Sequence, residues 1–250
     1  MSELRLVRER TPGRPAFGTA VSHAILMRVA AGELPATYRL HRAEAVLSFG
    51  RQDALNPGFR AAVDIAREAG FAPVLRLAGG RAAVFHEGTL AFAHATPELA
   101  PREGTRQRFA DTGELLAAAL ATLGIDARVG EVPGEYCPGE WSVNARGRVK
   151  LAGVGQRLVA GAAHVGGVVV ATHAKRLANV LVPVYEALGL DWDPATAGSA
   201  DDESPGSGPD TVAGAIVAEL AARHELVEAT LDPETLALAE RLEARHAIAL

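Results

Sequence analysis

The chain is poor in the residues that supply redox and metal chemistry. It has one cysteine, Cys137, which cannot close an internal disulfide, and no CxxC or HExxH spacing occurs, so neither a disulfide framework nor a metal site is expected. The eight histidines are dispersed. His86 and His94 fall in an apolar alternating stretch, where the expected role is structural. No segment approaches the roughly 20 apolar residues of a membrane span, and the start "MSELRLVRER" puts charges where a secretory signal needs an apolar stretch. A cytoplasmic protein without a membrane partner is expected. The arginines form no run, and a net charge of -5 gives no general attraction to polyanions, so no nucleic-acid partner is expected either.

What the chain has is core material. Of its 250 residues, 48% are hydrophobic and 22% charged, the balance of a soluble protein with one large α/β domain, or one domain and an appendage. Periodicity and punctuation predict a helix over 18–31, a strand "EAVLSFGRQ" ending at Gly50, and a helix in "PGFRAAVDIAREAG". Two strands broken by a diglycine follow in 72–95, then a helix "TGELLAAALATLG" capped by Thr112 and stopped by Gly124. The stretch 141–172 reads as four short strands, and "HAKRLANVLVPVYEALGL" as two short helices broken at Pro183. Residues 193–210, rich in Gly, Ser, Pro and acids, have the composition of a solvated linker. Residues 211–250 read as a C-terminal helical hairpin around "LDPET", leaving 1–192 as the main domain.

Two stretches carry chemistry. In "RLAGGRAAVFHEGTLAFA" (76–93), Gly79 and Gly80 lack Cβ atoms, so the backbone can take positive φ and come close to a bound chain; a plain tight turn between strands is the other use of a diglycine. The alternation of Ala82 and Val84 with Ala83 and Phe85 gives the next strand one face free to line a tunnel. In "YCPGEWSVNARGRVKLAGVGQRLVAGAA" (136–163), Cys137 sits between Tyr136 and Pro138, and Lys150 follows the "NARGR" turn. A free thiol with a pKa of about 8.5 is only slightly ionised at neutral pH, and a nearby ammonium favours the thiolate, which is the nucleophile. A hairpin turning at 144–149 would bring Cys137 and Lys150 onto its two arms. A buried small apolar residue is the other reading of a lone cysteine, but a Tyr-Cys-Pro-Gly loop belongs at a surface. His164 and His173 are candidates for proton transfer only if the fold brings them near.

These two segments, with the upstream "VLSFGRQD", resemble the lipoate/biotin-protein ligase family over about 20–190. Within it the likeness is greatest to the cysteine-dependent octanoyltransferases, which carry a "YCPG" segment and a following "KxAGxxQRR". The resemblance implies a mixed α/β fold: a largely antiparallel sheet flanked by helices, of the class II synthetase-like type. It implies Cys137 and Lys150 as catalytic residues, and Arg76, Gly79, Gly80, Ala82 and Gly153 as substrate-binding. It also implies an octanoyl or lipoyl group passed through a Cys137 thioester to a lysine of a lipoyl-carrier domain, such as glycine cleavage H protein or a 2-oxoacid dehydrogenase E2. The octanoyl donor would be another carrier, and no cofactor is needed. Two alternatives stay open: an ATP-dependent lipoate ligase, with ATP and Mg, whose Lys150 contacts the acyl-adenylate; and a non-catalytic homologue that binds acyl carriers. The chain departs from the family at Arg81, where a third glycine is usual, at His86 in place of an aspartate, and at His23 in place of an acid.

Overall fold

The computed structural model describes residues 2–248. β1 (Ser2–Val7) leads to α1 (Pro15–Ala30), which opens one turn earlier than the apolar pattern implies because a proline in the first turn gives up an N–H that has no helical partner anyway. β2 (Thr37–Arg42) and β3 (Val46–Phe49) follow, then the short α2 (Arg51–Ala54) and the amphipathic α3 (Phe59–Glu68). β4 (Ala72–Leu75), β5 (Ala83–Phe85) and β6 (Thr89–Pro97) come next, then α4 (Thr105–Ala121) and β7 (Ala127–Val129). After a long loop come β8 (Val143–Ala145), β9 (Val149–Val159), β10 (Ala162–Val170) and α5 (Ala174–Ala187). The chain closes with α6 (Ala200–Glu203), α7 (Pro209–Arg223), β11 (His224–Ala229) and α8 (Pro233–Glu243).

Eight strands form one sheet in the order β11-β1-β2-β6-β10-β9-β8-β7, antiparallel except where β1 pairs in parallel with β2 and β11. A second, three-stranded sheet runs β4-β3-β5. The mixed, largely antiparallel α/β architecture expected from the sequence is the one found. Leu116, Leu120, Ile216 and Leu220 of α4 and α7 pack on one part of the large sheet. Ala20, Ala24 and Val29 of α1 join Ala239 and Leu242 of α8 in a second cluster. The small sheet buries Leu47, Phe49 and Val84 against Val63 of α3 and Leu177, Leu181 and Val184 of α5.

Four local expectations change. α4 begins at Thr105, and Thr112 sits inside it with its hydroxyl donating to the Arg108 carbonyl at 2.8 Å, so it caps nothing; Gly124, at φ +82°, does close the segment. The stretch 141–172 holds three strands, because β9 runs unbroken through its glycines, which pair across to β10. α5 continues through Pro183. Proline deprives the helix of one hydrogen bond, but Leu181, Val184 and Tyr185 around it are buried, and tertiary burial outweighs the local cost.

The fourth concerns 193–210 and the tail. Thr196, Ser199, Ala200 and Ser207 are buried, Asp193 and Ser199 each cap a helical turn, and Ala197 forms a bridge with Lys150. A composition that looks solvated is held by caps and backbone bonds instead of apolar burial. The tail is not a helical hairpin: "HELVEA" forms β11, paired with β1 from Ser2↔His224 to Val7↔Ala229. Its apolar residues suit a helix as well as a strand, and the open edge of β1 selects the strand. Among the described residues no helix is long and apolar enough to cross a membrane, and no group of three metal-binding side chains converges.

Candidate active site

A cavity of about 430 Å³ opens between β5 with the loop that precedes it, on the small-sheet side, and the β9–β10 part of the large sheet. Gly79 and Gly80 form one wall, Ala83 and Phe85 another, and Gly153 and Gly155 of β9 the floor. Close approach explains two glycines. A Cβ on Gly155 would stand 2.8 Å from the Gly79 carbonyl oxygen; one on Gly80 would meet Arg76 Nη1 at 2.5 Å and Cys137 Sγ at 2.9 Å. Gly80 is at φ +121°, whereas Gly79 needs no such conformation and faces open space. The expected bend therefore falls on Gly80 alone. Ala82 is fully buried in the core, and its alternates Ala83 and Phe85 line the cavity instead, so the lining face of β5 is the other one.

Cys137 lies at the cavity edge in the loop before β8, not on a hairpin arm. Its φ is +43°, a conformation that non-glycine residues adopt rarely and that must be held by its surroundings. The holding groups are specific. The Cys137 N–H donates to Tyr185 Oη at 2.8 Å, and that hydroxyl donates to the Ala82 carbonyl at 2.9 Å. Burial, then the adjoining Cys137, pushes the Tyr185 hydroxyl well above its ordinary pKa, which keeps it a donor. The sulfur accepts the Arg81 backbone N–H at 3.2 Å and stands 3.6 Å from Arg76 Nη1.

Lys150 is brought to the same loop, but to its backbone. Nζ donates to the Tyr136 carbonyl at 3.0 Å, the Cys137 carbonyl at 2.8 Å and Glu135 Oε1 at 2.9 Å. An ammonium has three donors, and all three are used. The hairpin that carries Lys150 pairs it with Asn144 across β8 and β9. Cys137 and Lys150 are thus neighbours through the loop carbonyl. Glu135, fully buried, is a hub the sequence reading missed: its carboxylate also accepts from Ser142 Oγ at 2.5 Å, Gly139 N–H at 3.1 Å and Val132 N–H at 3.1 Å. An acid two residues before the lone cysteine was the available signal, though Glu131 and Glu140 in the same loop are acids as well and local sequence does not say which of the three meets Lys150.

Among the described residues no histidine, aspartate or glutamate lines the cavity. His164 faces a neighbouring cavity, where burial and then His94 lower its pKa to about 3; His173 pairs with Thr172 Oγ1 at 2.7 Å ahead of α5. The structure brings neither to Cys137. The three departures noted in the sequence have partners of their own. Arg81 forms an ion pair with buried Asp53 at 3.2 Å, His86 Nδ1 accepts the Gly88 N–H at 3.0 Å, and His23 meets His246 at 3.0 Å.

A family model described as the lipoyl protein ligase A/B catalytic domain matches residues 14–186, more than half of the chain. The chain belongs to that family. Among lipoyl ligase relatives, octanoyl-[GcvH]:protein N-octanoyltransferase from Geobacillus kaustophilus is 32% identical over 142 residues, which is 57% of this chain and 50% of that one. The protein of the same description from Exiguobacterium sibiricum is 35% identical over 125 residues, 49% of this chain and 43% of that one. The matched region thus spans about half the length of these curated relatives. The fold is that of lipoate-protein ligases, of the class II synthetase-like type. A crystal structure of lipoate-protein ligase A bound with ATP aligns with TM-score 0.79 at 20% identity, covering 97% of this chain and 95% of that one. A bipartite lipoate protein ligase from Thermoplasma acidophilum, studied with its E2 lipoyl domain, aligns with TM-score 0.75 at 20% identity over 98% and 93%.

Proposed function

We propose that the protein is an acyltransferase that moves an octanoyl, or lipoyl, group through a thioester on Cys137 to a lysine of a lipoyl-carrier domain. The observation that carries this is the setting of the thiol. Sγ faces the cavity, beside a guanidinium and a backbone N–H, on a backbone held at φ +43° by Tyr185 and Lys150. The names of the octanoyltransferase relatives support the acyl group and point to glycine cleavage H protein as a carrier; an E2 lipoyl domain is the acceptor proposed here.

The chemistry follows from those groups. The thiolate attacks the acyl carbonyl carbon of the donor, a C–S bond forms, and the bond to the donor's lysine nitrogen breaks as that amine takes up the proton the thiol gave up. The acceptor lysine amine then attacks the thioester, the C–N bond forms, the C–S bond breaks, and the departing sulfur takes up the proton the amine gives up, which restores the thiol. One amide is exchanged for another, so no ATP is consumed. Arg76 and the Arg81 N–H stabilise negative charge on sulfur. Gly79, Gly80 and Gly153 keep the cavity wall bare for a slender chain. Lys150 holds the Cys137 carbonyl and carries a positive charge beside the loop, partly offset by Glu135.

The ATP-dependent alternative asks Lys150 to contact an acyl-adenylate, and its engaged donors weigh against that. Intact mass after incubation with an octanoylated carrier, with and without ATP, tests the proposal. The expected result is a hydroxylamine-sensitive octanoyl adduct on Cys137 that forms without ATP and is discharged by an apo lipoyl domain. Modification that requires ATP and leaves Cys137 free overturns it.

A further inference from the structure

The matched family region ends at residue 186, yet a residue near the C-terminus reaches the nucleophile's surroundings. β4 is an outer strand of the small sheet, with one edge open to pairing. The tail takes that edge: the Leu75 N–H donates to the His246 carbonyl at 2.8 Å, and Val74 bridges Ala247 in antiparallel register. The His246 ring, buried at 4% exposure, adds two more bonds. Nδ1 lies 2.8 Å from the Leu75 carbonyl oxygen and Nε2 lies 3.0 Å from His23 Nδ1 on α1. A carbonyl only accepts, so His246 Nδ1 carries the proton; Nε2 is then the acceptor and His23 Nδ1–H the donor. The His246 ring must be neutral for this chain of donors, because its Nε2 has to accept. Burial lowers the pKa of both rings, His23 to about 4. The residue after Leu75 is Arg76, whose N–H is tied to the Phe49 carbonyl at 3.0 Å, and whose Nη1 donates to the Arg81 carbonyl at 2.9 Å beside Cys137 Sγ.

We propose that His246 is a positioning residue: by clamping Leu75 to α1 it sets the exit of β4 and so holds the Arg76 guanidinium against the Cys137 sulfur. This rests on the reading of Cys137 as the nucleophile. It extends the functional chain some sixty residues beyond the matched region, into the segment that composition alone marks as an appendage. His246 touches neither sulfur nor substrate; it acts through Leu75 and Arg76.

The test uses the full chain and the reactivity of its single thiol. Alkylation of Cys137 by iodoacetamide, followed by intact mass across neutral to alkaline pH, needs no acyl carrier. His246→Leu keeps the bulk and removes both ring bonds; His246→Gln has an amide that can donate to Leu75 and accept from His23. The expected result for His246→Leu is alkylation slowed by about 3- to 10-fold at neutral pH, the scale of one or two lost hydrogen bonds. Its pH profile should move to higher pH, and His246→Gln should recover much of the loss. In an Arg76→Ala background, His246→Leu should add nothing, since the group it positions is gone. A His246→Leu protein with the wild-type alkylation profile, or one whose effect persists undiminished without Arg76, overturns the proposal. Should His246→Leu fail to fold, His23→Leu, which breaks the far end of the same relay, must show the Arg76-dependent slowing or the proposal falls. Octanoyl transfer by Cys137→Ala would sink the nucleophile assignment instead, and is measured separately.

Discussion

Arg76 and Lys150 are two cations on either side of one cysteine, and their surroundings differ. Lys150 is buried, paired with the buried carboxylate of Glu135, and spends its donors on backbone carbonyls. The pair is close to neutral as a unit, so its field at the sulfur is weak, and its contacts favour a part in shaping the loop. Arg76 has no carboxylate partner among its described hydrogen bonds and stands 3.6 Å from Sγ. Proximity in the fold is common to both. What separates a structural cation from one that acts on the thiol is whether its charge is already matched.

That comparison can be broken or sharpened in order of effect. Cys137→Ala removes the atom both cations surround, and octanoyl transfer should fall to background by intact mass, with Cys137→Ser close behind because a hydroxyl is a far weaker nucleophile near neutral pH. Gly80→Val should come next. Its Cβ would enter the space of Arg76 Nη1 and Cys137 Sγ at a φ that β-branched residues disfavour, and transfer should drop by about 100-fold if Arg76 is displaced as strongly as a removed oxyanion donor. Unchanged transfer would show that the guanidinium is not where the chemistry needs it.

Lys150→Ala leaves Glu135 buried without its cation, and urea unfolding should show a loss of about 3–5 kcal/mol. Transfer in the surviving folded fraction should fall less than stability suggests. Adding Glu135→Gln should restore part of the stability, because the uncompensated carboxylate is then gone. Restored stability without restored transfer would give Lys150 the direct catalytic part that its contacts argue against. Arg76→Ala should do the opposite: near-wild-type unfolding, and Cys137 alkylation slowed by about 10-fold, the scale of a charge-assisted contact. Acid should touch this comparison least. Burial lowers His23, His86 and His94 to about 4 and His164 to about 3. The unfolded chain therefore takes up protons from about pH 6.5 downward while the folded one does not, and the melting temperature should fall as pH drops from there toward 4. The ratio of alkylation rates between Arg76→Ala and wild type should hold through most of that range, since no described histidine lines the cavity, and shrink only as the buried His23–His246 relay that holds Arg76 takes up a proton at the acid end.

The local sequence carried the helix α3, the strand that ends at Gly50 and both motif loops, because each is written in periodicity and in glycine and proline punctuation, while the fold class came from the resemblance those two motifs carry. It also singled out Cys137, Lys150, Arg76, Gly80 and Gly153, which the fold gathers around one cavity. Ala82 lies in the core while Ala83 and Phe85 line the cavity, since alternation predicts two faces but not which of them meets the core.

What only the tertiary structure decided lies in contacts between distant segments. "HELVEA" became a strand because β1 offered an edge two hundred residues away, and 193–207 is ordered because Lys150 and the ends of two helical turns take up its polar groups. The partners of the thiol belong to the same class. Arg76 and the Arg81 N–H come from the one loop between β4 and β5, and Tyr185 from α5, two segments far from Cys137 in the chain and on opposite sides of it in sequence. Periodicity reports which face of an element is apolar; it holds no record of which polar group will stand across the gap, and that is set when the two sheets pack.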